Sequence, residues 1–300
     1  MWRSISLFFT VTFVLLFGAI DTNAEGLVAI TSTNVLIRFD SATPGTVSPV
    51  AITGLQSGEI ILGLDRRPAT SELYAIGSTS RLYRIDPITG AATQVGSAGA
   101  FTLNGTAFGV DFNPVVDRLR VVSNTGQNLR INPNDGTLTA TDAPIAFAVG
   151  DSNAGATPRI VGAAYTNNVT GASMTTLYVV DSNLDIVANL GSPNGTPVSP
   201  NTGQLFTVGP LGFNTSDLTG FDISGLTGIA YAALTAPGGN SQLFTINLAT
   251  GTATLIGTIG GGVPVSSLSA GVGSAVPEPA TLLLLGIGVT GFVVRVRRRR

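Results

Sequence analysis

One short pattern returns along this chain, and its return limits the available folds more than any other feature. Leu73-Tyr74-Ala75-Ile76-Gly77, followed by Arg81-Leu82-Tyr83-Arg84-Ile85-Asp86, reappears as Leu119-Arg120-Val121-Val122-Ser123, followed by Asn128-Leu129-Arg130-Ile131-Asn132. It returns at Leu177-Tyr178-Val179-Val180-Asp181 and at Gln242-Leu243-Phe244-Thr245-Ile246-Asn247. Short runs of β-branched and aromatic residues between turns read as strands. Most members end in Asp or Asn with a Gly four residues on: Asp86 and Gly90, Asn132 and Gly136, Asn247 and Gly251. Asx side chains start turns and Gly accepts positive φ, so these are hairpin tips.

Each unit also opens with a strand, predicted at Ile60–Asp65, Ala107–Asp111, Ile160–Tyr165, Leu218–Ile223 and Leu268–Val272. Starting at residues 60, 107, 160, 218 and 268, the openers are 47 to 58 residues apart, close to a four-stranded propeller blade. Small residues (Gly63, Gly109, Gly162, Gly220, Gly271) suit strands crowded around an axis. The first strands, predicted at 27–31, 35–39 and 46–52, have no opener, and the last opener has no strands after it. Joining the two ends completes a fifth blade. The expectation is therefore an all-β, five-bladed β-propeller, closed where N-terminal strands meet the C-terminal strand and leaving no continuous open sheet edge. A parallel β-solenoid would use shorter repeats, and a two-sheet sandwich explains fivefold repetition poorly.

Composition removes whole chemistries. The 300-residue chain has no Cys and no His, and all 15 of its basic residues are Arg. Ser-His-Asp triads, Cys nucleophiles, Schiff-base lysines, P-loops and His- or Cys-ligated zinc are excluded. Setting both chain ends aside leaves 15 of the 17 acids and 9 of the 15 arginines, a net charge of about −6 without a basic cluster. Nucleic acid is accordingly not an expected partner.

What remains is carboxylate and guanidinium chemistry. Three openers place Asp two residues after Gly: Asp65, Asp111 and Asp222. In a propeller these positions are equivalent and converge near the axis. Such a trio could hold Ca²⁺, which takes oxygen ligands, or supply the carboxylate pair of a glycoside hydrolase. The plainer reading is that each Asp caps a neighbouring turn through backbone N–H groups. The other two blades carry Ala164 and Val272 at this position, an incomplete ring. Arg66 and Arg67 follow Asp65, while Arg118 and Arg120 follow the Asp111 turn. They could grip uronic acids or simply form surface ion pairs. Asp151-Ser152-Asn153-Ala154-Gly155 lacks the distal Glu of an EF-hand loop and reads as a turn. The Pro- and Gly-rich segment from 189 to 203 reads as an irregular insertion in the third blade; loops of that kind often carry binding function, and a merely tolerated insertion fits equally well. Four Asn-x-Ser/Thr triplets, at Asn104, Asn168, Asn194 and Asn214, are expected by chance in loops this rich in Thr.

Both ends carry addresses. Arg3, an apolar stretch from Ile5 to Ile20 and small residues Thr22 and Ala24 predict a signal peptide over 1–24, cleaved after Ala24. The propeller domain is then placed at 25–274 and a tail at 275–300. In that tail Pro277-Glu278-Pro279 leads into an apolar run over 281–294 and ends in Arg295, Arg297, Arg298, Arg299 and Arg300. A helix of that length reaches about 21 Å, short of a ~30 Å hydrocarbon core, and its arginines would stay cytoplasmic. This tripartite tail resembles the PEP-CTERM sorting signal of Gram-negative bacteria, with Pro277, Glu278 and Pro279 matching its motif. The resemblance implies processing by the membrane protease exosortase after transient inner-membrane anchoring.

The repeat region resembles a bacterial exported domain of unknown function often found ahead of such tails. The likeness is carried by Gly105-Thr106-Ala107-Phe108-Gly109-Val110-Asp111-Phe112-Asn113-Pro114 and by the run from Asp117 to Arg130. It implies an architecture and an address but no activity. Together the readings predict a non-catalytic surface or matrix-associated propeller binding glycan, exopolysaccharide or another surface protein. The alternative is a glycan-active hydrolase working through Asp65, Asp111 and Asp222.

Overall fold

The structure is a computed structural model that describes residues 24–271. The signal-peptide and tail predictions, including Pro277, Glu278, Pro279 and the apolar run 281–294, fall outside these residues. Among the described residues no helix is long and apolar enough to cross a membrane.

In the described residues twenty-one strands form five sheets. In chain order β1 (Gly26–Thr31), β2 (Val35–Asp40) and β3 (Val47–Ala51) come first. Blade one holds β4 (Ile61–Arg66), β5 (Leu73–Gly77), β6 (Arg81–Ile85) and β7 (Ala92–Val95). Blade two holds β8 (Phe108–Asn113), β9 (Arg118–Ser123), β10 (Asn128–Ile131) and β11 (Leu138–Thr141). A two-residue strand, β12 (Ala146–Phe147), adds in parallel to the outside of blade three. That blade otherwise holds β13 (Ile160–Tyr165), β14 (Leu177–Asp181), β15 (Ile186–Leu190) and β16 (Gln204–Pro210). Blade four holds β17 (Thr219–Ile223), β18 (Ala230–Thr235), β19 (Ser241–Ile246) and β20 (Ala253–Thr258). Finally β21 (Val265–Ala270) returns to β1, giving a fifth blade in the order β21-β1-β2-β3.

The predicted closure is thus present. Leu27 faces Ala270 and Ala29 faces Leu268 in an antiparallel pair. Inner strands β21, β4, β8, β13 and β17 follow one another around the axis. The hairpin tips form as their sequences require. Asp86 Oδ1 accepts from the amides of Ile88 and Thr89, and Asn132 and Asn247 cap their own turns in the same way.

The core is a set of apolar wedges between blades. Val28, Ile30 and Leu36 of the fifth blade pack with Ile61, Leu64 and Tyr83 of the first. Tyr74, Ile76 and Leu82 of the first blade pack with Phe108, Phe112 and Val121 of the second. Glycine is demanded where the inner strands meet. A Cβ on Gly109 would lie 2.6 Å from the Ala163 nitrogen, and one on Gly220 would lie 2.6 Å from the Leu268 nitrogen. Backbone cannot yield to such contact, so these strands touch main chain to main chain.

One expectation needs correcting. The fifth opener is Val265–Ala270, not Leu268–Val272, and Gly271 lies beyond the strand. Facing Leu27 with Ala270 sets a register that begins three residues earlier than the spacing of small residues suggested.

Candidate functional site

The Gly-x-Asp spacing of the inner strands produces a ring of clamps between blades. Asp65 Oδ2 accepts from the Phe112 amide of the next blade at 2.8 Å, and Asp111 Oδ2 accepts from the Tyr165 amide at 3.0 Å. Asp222 Oδ2 accepts from the Ala270 amide at 2.6 Å. Each partner stands one residue beyond the equivalent position of its own strand, which identifies the fifth member. It is Ser269, one residue before Ala270, in place of Val272, which the sequence spacing predicted and which lies outside the described residues. Ser269 Oγ completes the circuit by accepting from the Arg66 amide at 3.2 Å. Ser267 replaces the glycine of the pattern, its Oγ accepting from the Leu64 amide at 3.0 Å. Ala164 interrupts the ring, and the Ile223 amide it would have served bonds instead to Asp222 Oδ1 at 2.6 Å.

The three aspartates meet. An oxygen of each lies within 4.8 Å of the others, and all three residues are buried, Asp111 completely. Burial is the largest influence on each carboxyl. It pushes Asp65 up to about 6 against the Phe112 hydrogen bond, and drives Asp111 and Asp222 well above the ordinary aspartate value. The charge on Asp65 adds to the rise at both. These carboxyls are therefore joined to neighbouring strands rather than to turns of their own, and all three are buried. That geometry denies a bulky glycan direct access to them.

The arginines singled out from sequence do not join this cluster. Arg66 reaches Ser71 at 2.8 Å, and Arg118 folds back onto the carbonyls of Val116 and Asp117. Arg67 forms a two-pronged pair with Asp117 that ties the first two blades. Arg120 alone leads to an open site.

That site is a cleft of about 220 Å³ where blades two and three meet. Asn113, Val115 and Val116 lie on one side, Ser173, Met174 and Thr175 on another, and Tyr165 at the end of β13. The insertion between β15 and β16 supplies Asn194, Gly195, Ser199, Pro200 and Asn201, so this segment reaches a cleft. Two short 3-10 turns, Pro193–Gly195 and Pro200–Thr202, shape it.

Beneath the cleft Arg120 is buried, with Nε on the Tyr165 hydroxyl at 3.2 Å, Nη1 on Asp142 at 2.6 Å and Nη2 on Asn201 at 2.7 Å. Arg130 grips the same Asp142 with both Nε and Nη2, at 2.8 and 2.7 Å. Burial opposes ionisation of Asp142, yet Arg130 and Arg120 outweigh it and hold its carboxyl below the usual aspartate value. Two guanidinium groups thus share one carboxylate, leaving one positive charge in excess. The rim is mixed, with Val115, Val116 and Met174 exposed beside Asn113, Ser173, Thr175 and Asn194. Sequence reasoning missed Arg130, Asp142, Tyr165 and Asn201, which lie far apart in the chain. Only Asn201 had a local signal, its place in the insertion.

Ring closure, blade order and terminal pairing define a five-bladed β-propeller, and a PEP-CTERM protein-sorting motif spans residues 275–299. That motif marks a protein exported and sorted by exosortase in Gram-negative bacteria. The chain belongs to the family described as domain of unknown function DUF4394, whose profile matches residues 35–269. Among curated proteins none matches the sequence. Solved structures match at low identity and low TM-score. A 6-phosphogluconolactonase candidate from Bacteroides uniformis is 13% identical over 81% of this chain and 83% of its own, with a TM-score of 0.41. A protein of unknown function from Bacteroides thetaiotaomicron is 17% identical over 77% and 57%, with a TM-score of 0.43. Glutaminyl cyclase from Myxococcus xanthus is 12% identical over 75% and 83%, with a TM-score of 0.42. Likeness this distant transfers no activity.

Proposed function

We propose that this protein is a non-catalytic, surface-displayed propeller that binds acidic exopolysaccharide in the cleft between blades two and three. In this reading the signal peptide directs export, exosortase acts on the tail, and the propeller works at the cell surface or in the surrounding matrix. The observation that carries the binding role is the unbalanced guanidinium pair, Arg120 and Arg130 against Asp142, beneath a rim that mixes amides and hydroxyls with Val116 and Met174. A uronic acid offers a carboxylate for the arginines, hydroxyls for Asn194 and Asn201, and an apolar ring face for Val116 and Met174. The glycan-active hydrolase alternative needs a carboxylate pair open to substrate, whereas Asp65, Asp111 and Asp222 are sealed at the axis.

Calorimetric titration with uronate-containing and neutral polysaccharides tests the reading. Binding confined to the acidic polymers, and weakened about tenfold by Arg130→Ala, is the expected outcome. Equal affinity for neutral polymers, or indifference to Arg130→Ala, contradicts the cleft assignment. Hydrolysis of a matrix polysaccharide, lost in a folded Asp111→Asn variant, would establish the enzyme instead.

A further inference from the structure

We propose that the propeller axis holds one divalent cation, Ca²⁺ by its ligand chemistry, between Asp65, Asp111 and Asp222. None of these three acids lines the cleft, although Tyr165 touches both places. Three ligand oxygens mutually within 4.8 Å leave a point no more than about 2.8 Å from all of them, so a slight contraction reaches Ca–O distances. The donors are all oxygen, and Ser269 Oγ, which donates to Asp65 Oδ1 at 3.0 Å, adds another beside them. Such a set suits a hard cation.

The second observation is an orphan. Five of the six carboxylate oxygens accept a hydrogen bond: both of Asp65, both of Asp222 and Oδ2 of Asp111. Asp111 Oδ1 has no donor although the residue is completely buried. Buried polar atoms are nearly always satisfied, and an unmatched carboxylate oxygen among carboxylates calls for a positive partner. None of the ion pairs among the described residues involves these three acids. A cation here would bind inner strands β4, β8 and β17 to one another, and its loss would loosen the ring rather than alter the cleft.

The rival is a trio kept neutral by shared protons. Secreted protein purified without chelators should contain about one equivalent of calcium by elemental analysis. Chelation should lower its melting temperature by about 5–10 °C, reversed by added Ca²⁺. Asp111→Asn should abolish the calcium and the chelator response together. Should that variant not fold, terbium luminescence on the wild-type protein serves instead: the mature chain has no Trp, so saturable tyrosine-sensitised emission displaced by Ca²⁺ would report the site. Absence of bound metal, a melting temperature unmoved by chelator or Ca²⁺, and no terbium emission would overturn the proposal. A metal-indifferent rise in stability in Asp111→Asn would assign the trio to protons.

Discussion

At the residue scale, the buried charges of this protein divide by whether an arginine meets them. Glu59 is buried, and it accepts from the Thr79 amide and hydroxyl, from the Tyr83 hydroxyl at 3.1 Å and from Arg81. Burial works against its charge, but these donors prevail and keep its carboxyl below the ordinary glutamate value. A depressed folded value means that Glu59 stabilises the fold above its unfolded value of about 4.5 and loses that contribution as pH falls through the folded one. Glu59→Gln should therefore cost about 1–3 kcal/mol near neutral pH, with the gap from wild type closing in acid. Melting curves of both proteins between pH 7 and 3 will show whether the gap narrows in that direction. A buried guanidinium is the converse case. Arg120→Ala should lose about 2–3 kcal/mol in urea titrations, because Asn128, Tyr165 and Asn201 lose their shared donor. Arg130→Ala, partly exposed and backed by Arg120, should lose less than about 1 kcal/mol. The three axial aspartates were legible because each follows Gly by two residues. Ser269 was not, since Ser267 and Ser269 keep the spacing but neither residue type.

Elements were legible where a pattern repeats and obscure where it occurs once. Strands β5, β6, β9, β10, β14 and β19 stand where the recurring segments put them, each hairpin stopped by an Asx-led turn. By contrast, β12 is two residues long and pairs in parallel with β16, a contact with no periodic signature. The final opener slipped because Gly271 imitated an axial glycine, although its φ of 74° fits the bend after β21 rather than a strand. True axial glycines make a sharper demand. Gly220→Ala would press a methyl carbon on the backbone between Ser267 and Leu268, and should cost about 1–3 kcal/mol of overpacking. Gly58→Ala is the control for glycine replacement at a turn, where positive φ carries strain without crowding. A larger loss at Gly220 than at Gly58, read from denaturation midpoints, would separate crowding from strain.

For the whole molecule, the decisive pairing spans nearly the full domain: Leu27 with Ala270. Closure could be deduced because an opener without followers and followers without an opener need each other. Cleft chemistry could not, since Arg120, Asp142, Tyr165 and Asn201 meet only once blades two and three are packed. Removing residues 265–271 should leave β1 with an unpaired edge and uncover Leu27, Ala29 and Ile37. Such a truncated domain should bind hydrophobic dyes, associate in light scattering and unfold without a single sharp transition. A truncated form that stays monomeric and cooperative would show that the ring does not depend on its seam.

The joint also has a mechanical side. Gly271 lies beside Glu25, with a Cβ built on it 3.6 Å from a Glu25 carboxylate oxygen, so the strand leading toward the tail leaves the ring next to where the first strand begins. Traction on the polypeptide beyond residue 271, with the body of the ring held fast, would meet the Ala270–Leu27 rung before any other and strip β21 away one rung at a time. A propeller tethered by that tail would yield at its clasp while blades one to four stayed whole.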